Sequence, residues 1–276
     1  MDTNSLILTL LNLNGWGPKK VYDYVHKHSF DYSKCIDGLV NELNSELKQV
    51  FKFELSKSKE KLKKNLERGV NAINILDPRF PKKLYNSNDK CVFLYYKGNI
   101  ELLDQKSIAI IGTRKPEGEF INKGKIVSKY FAKEGYVIVS GLALGCDTIA
   151  HTSCLEVNGK TIAVLPSSCD NIQPSSNKKL AEEIVQKNGL LISEYGVETS
   201  FSKYNYGARD RIQSLLSSVI LIIQASDNSG TMIATKKSLK DKKMVYAIEG
   251  NKLTLVNNYI DINSIDDLNE MKTWII

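Results

Sequence analysis

Apolar residues recur along this chain with two different periods, and the change from one to the other divides it. From Asn4 to Gly69 they fall at helical spacing: Leu6, Leu10 and Leu13, then Leu39, Leu43 and Leu47, then Leu55, Leu62 and Leu66, with short Gly, Ser and Asn interruptions. This predicts a small all-helical domain over residues 1–70. Residues 71–105 hold Asp77-Pro78, Phe80-Pro81 and a short apolar run from Val92 to Tyr96, the marks of a connector with turns and one or two edge strands. From Ser107 onward continuous apolar runs alternate with amphipathic segments. Strands are expected at Ser107 to Ile111, Tyr136 to Ser140, Thr161 to Leu165, Leu190 to Glu194, Val219 to Gln224 and Met244 to Ile248. Between them lie helical stripes, Phe120, Gly124, Val127 and Phe131 in one and Leu180, Ile184 and Val185 in another. Strands that are apolar along their whole length are buried on both faces. The pattern therefore predicts an α/β fold, a Rossmann-like, mostly parallel sheet with helices on both faces over residues 106–252. Residues 253–276 read as a tail with at most one helix, Asn263 to Trp274, whose Ile265, Leu268 and Met271 can pack on the core; it is too short for a winged-helix domain.

Composition narrows the setting. With 276 residues, 42% hydrophobic and 25% charged, the chain can bury one ordinary core and a second, smaller one. Apolar runs such as Ile108 to Ile111 fall far below the ~18 residues that cross a bilayer, and no basic stretch precedes an apolar core at the N-terminus, so a membrane is not expected. The cysteines, Cys35, Cys91, Cys146, Cys154 and Cys169, are odd in number and widely spaced without a Cys-x-x-Cys pair. Neither a disulfide framework nor a zinc knuckle follows, and the expected compartment is the reducing cytoplasm. A net charge of +7 and a pI near 8.9 favour a polyanionic partner, though Lys-rich composition alone gives the same numbers.

In a doubly wound sheet the ligand lies outside the carboxyl ends of the strands, so the chemistry should sit in the loops that follow them. After the first strand comes Gly112-Thr113-Arg114: a glycine that permits close backbone approach and an arginine that can grip an anion beside a helix N-terminus. An ordinary tight turn with a solvated arginine fits this triplet equally well. The second strand runs into Ser140-Gly141 and on to Gly145-Cys146-Asp147, a glycine-flanked anion nest with Asp147 placed to cap the next helix. Asp147 and His151, four residues apart, lack a third ligand, which favours capping and packing over a metal site. After the fourth strand, Ser200 to Arg211 interleaves cations and aromatics, among them Lys203, Tyr206, Arg209 and Arg211; cations hold phosphates while aromatic faces stack on bases. Ser229-Gly230-Thr231 after the fifth strand adds hydroxyl and amide donors at a helix start. No acidic residue closes the second strand, and neither a Gly-x-Gly-x-x-Gly nor a Walker-type loop is present, which argues against a nicotinamide or nucleoside-triphosphate cofactor; no cofactor is expected.

These residues resemble the DNA-processing protein A family (DprA, also called Smf). The likeness runs through Ile108 to Arg114, Val137 to His151, Gly159 to Leu165, Ile192 to Tyr195, Arg209 to Ile212, Gln224 to Gly230 and Ala247 to Gly250, preceded by Asp77 to Pro81 and Leu94 to Asn99. It covers roughly residues 70 to 250. The resemblance implies a cytoplasmic, non-enzymatic protein that binds and protects single-stranded DNA and helps load a RecA-type recombinase in DNA processing, natural transformation and recombination, with a homodimer as its working state. It assigns strand contacts to Gly112, Thr113, Arg114, Lys203, Tyr206, Arg209 and Arg211. Three positions depart from the family pattern. Asp210 stands where asparagine is usual, Leu144 where many members have arginine, and Tyr206-Gly207 where many have Phe-Pro. The added negative charge of Asp210 leaves either a phosphate-binding or a structural role open for Arg209 and Arg211.

Two features of the helical region bear on the same function. Leu13 to Lys19 resembles the hairpin of helix-hairpin-helix modules, whose Gly-x-Gly amides meet phosphate, and it also suits a plain helix-helix turn. The basic run from Lys57 to Arg68 reads first as a solvated helix face and second as an auxiliary DNA contact. The competing function is a nucleotide-binding enzyme or sensor of the lysine-decarboxylase-like, phosphoribohydrolase type. That type needs a glutamate in its glycine-rich motif, and Ser229 to Ala234 contains none.

Overall fold

The computed structural model describes residues 2–42, 45–202 and 204–273. Four helices come first, α1 (Thr3–Asn12), α2 (Pro18–Lys27), α3 (Tyr32–Glu42) and α4 (Ser45–Glu67). Asp2 starts α1 by accepting from the Ser5 amide, and between α1 and α2 the chain turns at Gly15, whose φ of +75° is open to glycine without strain. Pro18 then sits in the first turn of α2, where a missing N–H leaves no bond unmade.

The alternating part follows as β1 (Asn71–Asn74), α5 (Lys82–Tyr85), β2 (Phe93–Gly98), β3 (Ser107–Ile111), α6 (Glu119–Lys133), β4 (Val137–Ser140), α7 (Cys146–Glu156), β5 (Thr161–Val164), α8 (Lys178–Gln186), β6 (Leu190–Ser193), α9 (Asn205–Leu216), β7 (Val219–Ile222), α10 (Thr231–Lys240), β8 (Met244–Ile248), β9 (Asn258–Ile260) and α11 (Ile265–Thr273). Among the described residues nine strands form one sheet in the order β1-β2-β6-β5-β4-β3-β7-β8-β9. From β6 to β9 all neighbours are parallel; β2 runs antiparallel to both β6 and β1, so the strands of the connector extend the same sheet.

Strand alternation explains why helices cover both faces. Ile108 and Ile110 of β3 point into a cluster with Val127 and Phe131 of α6, Ala150 and Cys154 of α7, and Leu268 and Met271 of α11. Ala109 and Ile111 point the other way, into a cluster with Ile184 of α8, Ile212 and Leu215 of α9, and Met232 of α10. That second cluster continues through Ile73 and Leu94 into Leu6, Leu10 and Val21, so the N-terminal helices share their core with the sheet. The basic run of α4 is engaged in this docking. Arg68 reaches Asp170 at 2.9 Å and Lys64 reaches Glu198 at 3.0 Å, while Lys57 and Lys63 pair with Glu54 and Glu67 on the helix itself.

Several strands stop a residue or two before the apolar run does. Leu165, Glu194, Ile223 and Gln224 lie beyond the ladders, already in the loops that shape the site. In the tail, α11 buries Leu268 and Met271 as the spacing predicts, but β9 was not anticipated, because three residues with only β8 for a partner carry no periodic signal. The Ile265 side chain and Trp274 lie outside the described residues.

Candidate nucleic-acid interface

The strand order reverses at β3, whose neighbours are β4 and β7, and a cleft of about 480 Å³ opens at the carboxyl ends of these strands. Its walls come from the loops after β3, β4 and β7 and from the first turns of α9 and α10.

Glycine contacts and backbone bonds stitch these loops together. The Thr113 amide donates to Gln224 O at 2.7 Å, the Cys146 amide donates to Thr113 O at 3.0 Å, and Gln224 Oε1 accepts from the Glu117 amide at 2.8 Å. A Cβ on Gly112 would lie 2.6 Å from Cys146 Sγ, and one on Gly145 would lie 2.5 Å from Thr113 O. Gly145 also has φ +76°, so this position is closed to other residues on two counts. The result is a rigid platform from which Arg114 projects, exposed, into the cleft.

Opposite it stands Tyr206 in the first turn of α9. The Arg114 guanidinium lies 5.0 Å from the centroid of the Tyr206 ring, and the Arg209 guanidinium lies 5.8 Å from it. Phe201 meets Tyr206 edge-on at 5.6 Å. Ser229, Gly230 and Thr231 close the far wall, where α10 begins and brings its positive dipole end to the cleft; the amides of Ser229, Met232 and Ile233 are taken up by turn carbonyls.

The floor is a buried charge cluster. Arg209, with 6% of its side chain exposed, has Nη1 3.4 Å from Asp147 Oδ2 and Nε 3.0 Å from Asp210 Oδ1, the latter an ion contact too bent for a hydrogen bond. In the amide orientation that satisfies its neighbours, Gln213 donates to Asp210 Oδ1 at 3.2 Å and accepts from the Gly141 amide at 2.8 Å. Burial pushes the Asp210 carboxyl above the usual carboxylate range; Arg209 opposes the shift and Asp147 adds to it. Burial outweighs Arg209, and Arg211 faces elsewhere.

Asp147 also differs from its expected role. The helix cap is Gly145, and Asp147 lies in the first turn, its Oδ2 accepting from the Gly141 and Ala143 amides at 3.2 and 3.3 Å. It clamps the loop that precedes α7. His151 is fully buried and neutral in its contacts: Nε2 accepts from the Leu142 amide at 3.3 Å, while Nδ1 lies 2.7 Å from Thr161 Oγ1, which in turn donates to Ile138 O. With Thr161's proton so engaged, Nδ1 carries the imidazole hydrogen, and burial lowers the His151 pKa to about 3. Among the described residues no group of three or more His, Cys, Asp or Glu is placed to hold a metal.

The cleft thus brings together Gly112, Thr113, Arg114, Tyr206, Arg209, Ser229 and Gly230 of the residues read from the sequence. Gly141 lies just behind, under Arg209. Ser140 is in the sheet, its hydroxyl donating to Ile110 O at 2.6 Å. Arg211 does not join them. Its Nη2 holds both oxygens of Glu194 at 2.5 Å and its Nη1 donates to the carbonyls of Asp89 and Lys90. Lys203 lies outside the described residues. Three contributors escaped the sequence reading: Gln213, Ile233, and Asn177, whose amide donates to Leu142 O at 2.8 Å and so fixes the β4 loop from a distance. Nothing local in the sequence marks Asn177.

Comparison with known proteins places this architecture. The family model of DNA recombination-mediator protein A matches residues 71–258. Protein Smf of Synechocystis sp. is 36% identical over 176 residues, which is 62% of this chain and 44% of that protein, so the chain spans under half the length of that relative. The crystal structure of DNA processing protein A from Streptococcus pneumoniae superposes with a TM-score of 0.77 at 26% identity, covering 98% of each chain. The Helicobacter pylori DNA processing protein A, solved in a study of its single-stranded DNA binding mode, superposes with a TM-score of 0.66 at 31% identity over 74% of this chain and 97% of its own. With more than half its length matched by the family model, and its cleft at the switch point of the matched region, the chain belongs to the DNA recombination-mediator protein A family.

Proposed function

We propose that the chain binds single-stranded DNA across the cleft, protects it, and assists the loading of a RecA-type recombinase in DNA processing, natural transformation and recombination. The observation that carries this reading is the Arg114–Tyr206 pair, a cation on the loop after β3 and an aromatic face on the first turn of α9 presented together. One group neutralises a phosphate and the other stacks on a base of any identity, which suits a strand bound without regard to sequence. The net charge of +7 and the α10 N-terminus add attraction for a polyanion. The H. pylori relative's single-stranded DNA binding supports the same reading.

The role is binding rather than catalysis. Glu194, the carboxylate that a phosphoribohydrolase-like reaction would place over a sugar, is gripped by Arg211, and Asp147 and Asp210 are engaged with Arg209. The working state is a cytoplasmic homodimer that needs no cofactor. No helix among the described residues is long and apolar enough to cross a membrane.

Competition decides the matter. A labelled oligothymidylate should be displaced by unlabelled single strand, poorly by duplex and not by nucleoside monophosphates, and all should be recovered unaltered with magnesium present. Displacement by a mononucleotide with release of free base, abolished in Glu194→Gln, would establish the enzyme reading instead.

A further inference from the structure

We propose that a second base-stacking site lies on the N-terminal helices, in an aromatic groove between α2, the turn that follows it and α5, and that it takes bases of the same single strand held in the cleft. The proposal rests on the single-strand reading above and extends it to a surface that the cleft does not include. The groove measures about 680 Å³ and is lined by Tyr22, His26, Phe30, Phe80, Lys82 and Tyr85 among others. Its rings are ordered. Tyr22 and His26 stack at 5.7 Å with 21° between planes, and Phe80 and Tyr85 stack at 6.2 Å with 19°. Phe30 stands edge-on to His26, 88° at 5.7 Å, and to Tyr22, 67° at 6.0 Å.

Two observations suggest more than packing. Ser29 and Phe30 both hold left-handed backbone, φ 56° and 54°, a strained pair of adjacent side-chain-bearing residues where a glycine would serve as an ordinary helix end. That turn is what swings the Phe30 ring into the groove. Phe80 and Tyr85 are buried and form the floor, Tyr22 and Phe30 are half-buried, and His26 is exposed, while the open volume above them is in the size range of small-ligand sites.

Charge selects the occupant. Lys82 on the rim is exposed and has no ion-pair partner among the described residues, and Lys90 Nζ lies 3.8 Å from the centroid of Tyr22. Asp77, the acid in the lining, is held by both Nε and Nη2 of Arg79. The exposed His26 ring, the half-buried Tyr22 and Phe30 and the unpaired Lys82 fit a nucleic-acid strand, while Lys90 is already engaged with the carbonyls of Tyr85 and Ser87. The location fits too. Lys83 of α5 donates to Leu216 O at the C-terminal end of α9, and Arg211 in the middle of α9 donates to the carbonyls of Asp89 and Lys90, so the elements beside the groove are tied to the helix whose first turn forms the cleft. From Tyr206 to Leu216 the helix rises ten residues, about 15 Å at 1.5 Å per residue, a span of a few nucleotides.

The test uses the whole protein and two labelled oligothymidylates, one of about five nucleotides that fills the cleft alone and one of about twenty that reaches further. The double variant His26→Ala, Lys82→Ala changes two exposed side chains, and its melting temperature should match wild type. It should bind the short strand normally and the long one about tenfold more weakly, and in wild type the long strand substituted with 5-iododeoxyuridine should photocrosslink to α2 or Phe30. Equal affinity of double variant and wild type for the long strand, or crosslinks confined to the cleft, would overturn the second site and point the groove toward a peptide instead. Arg114→Ala serves as the separate arm: unchanged binding of the short strand would count against the cleft, whatever the groove does.

Discussion

Gly141 and Arg209 occupy one another's space: a Cβ built on Gly141 would lie 1.0 Å from Arg209 Nη1. The glycine is required by the arginine, which in turn is fixed by Asp147 and Asp210. Gly141→Ala should push the guanidinium off both carboxylates, at about 3 to 5 kcal/mol if the buried pairs are broken outright. In an Arg209→Ala background the same glycine substitution should cost much less, since the remaining close contact is Asp147 Oδ2 at 2.8 Å. A double-mutant cycle in urea unfolding reads the coupling directly, and additive effects would show that the two positions do not depend on each other.

Arg211 should behave as a structural residue. Its fork joins Glu194 to the carbonyls of Asp89 and Lys90, a geometry that a lysine cannot copy. Arg211→Ala and Arg211→Lys should both lower thermal stability, the alanine by about 2 to 3 kcal/mol because it strands a half-buried carboxylate and two carbonyls, while short-strand affinity measured well below the melting temperature stays near wild type. A variant that melts normally and binds poorly would return Arg211 to the DNA surface.

Asp210 places a carboxyl beside the path proposed for phosphate, with burial raising its pKa. Asp210→Asn should tighten single-strand binding severalfold at neutral pH by removing that charge. The sign for pH is fixed by the direction of the shift. Since the folded-state pKa is raised, the carboxyl protonates above the ordinary carboxylate range as pH falls, and wild-type affinity should rise on acidification through that range while the asparagine variant stays flat. Matching pH profiles for the two proteins would remove Asp210 from the electrostatics of the site.

His151 sets an acid limit on stability. Its pKa falls from 6.5 in the unfolded chain to about 3 in the fold, so between those values the unfolded state binds the extra proton and stability declines as pH falls. Each pH unit in that window removes up to about 1.4 kcal/mol. Protonation would also turn Nε2 into a donor facing the Leu142 amide, itself a donor. Urea unfolding of wild type and His151→Gln between pH 6.5 and 4 should show the steeper decline in wild type, even though the variant is weaker at pH 7; parallel slopes would contradict it.

How much of this was legible depends on whether the determinant was local. β3 reads directly, because every residue from Ser107 to Ile111 is buried on one face or the other. The cleft loops read from their glycines, whose spacing the strand-to-helix turns require. Arg209 and Arg211 look equivalent in sequence, yet two residues on a helix are about 200° apart, so one floors the cleft and the other faces Glu194. Asp147 looked like a cap because it precedes a helical run. The positive φ of Gly145 starts that helix two residues sooner and frees the carboxylate to clamp the loop behind it. Asn177 and β9 depend on partners distant in sequence or on a single neighbouring strand, and no periodicity announces either.

The central claim is that Arg114 and Tyr206 form a phosphate-and-base site for single strands, and the salt dependence of binding tests it most directly. Affinity for oligothymidylate, titrated against salt concentration in wild type and Arg114→Ala, should fall log-linearly with salt in both. The variant's slope should be shallower by about 0.7, the share of one phosphate contact on a single strand, with its melting temperature unchanged. Binding insensitive to salt, or identical slopes and affinities in the two proteins, would contradict the account.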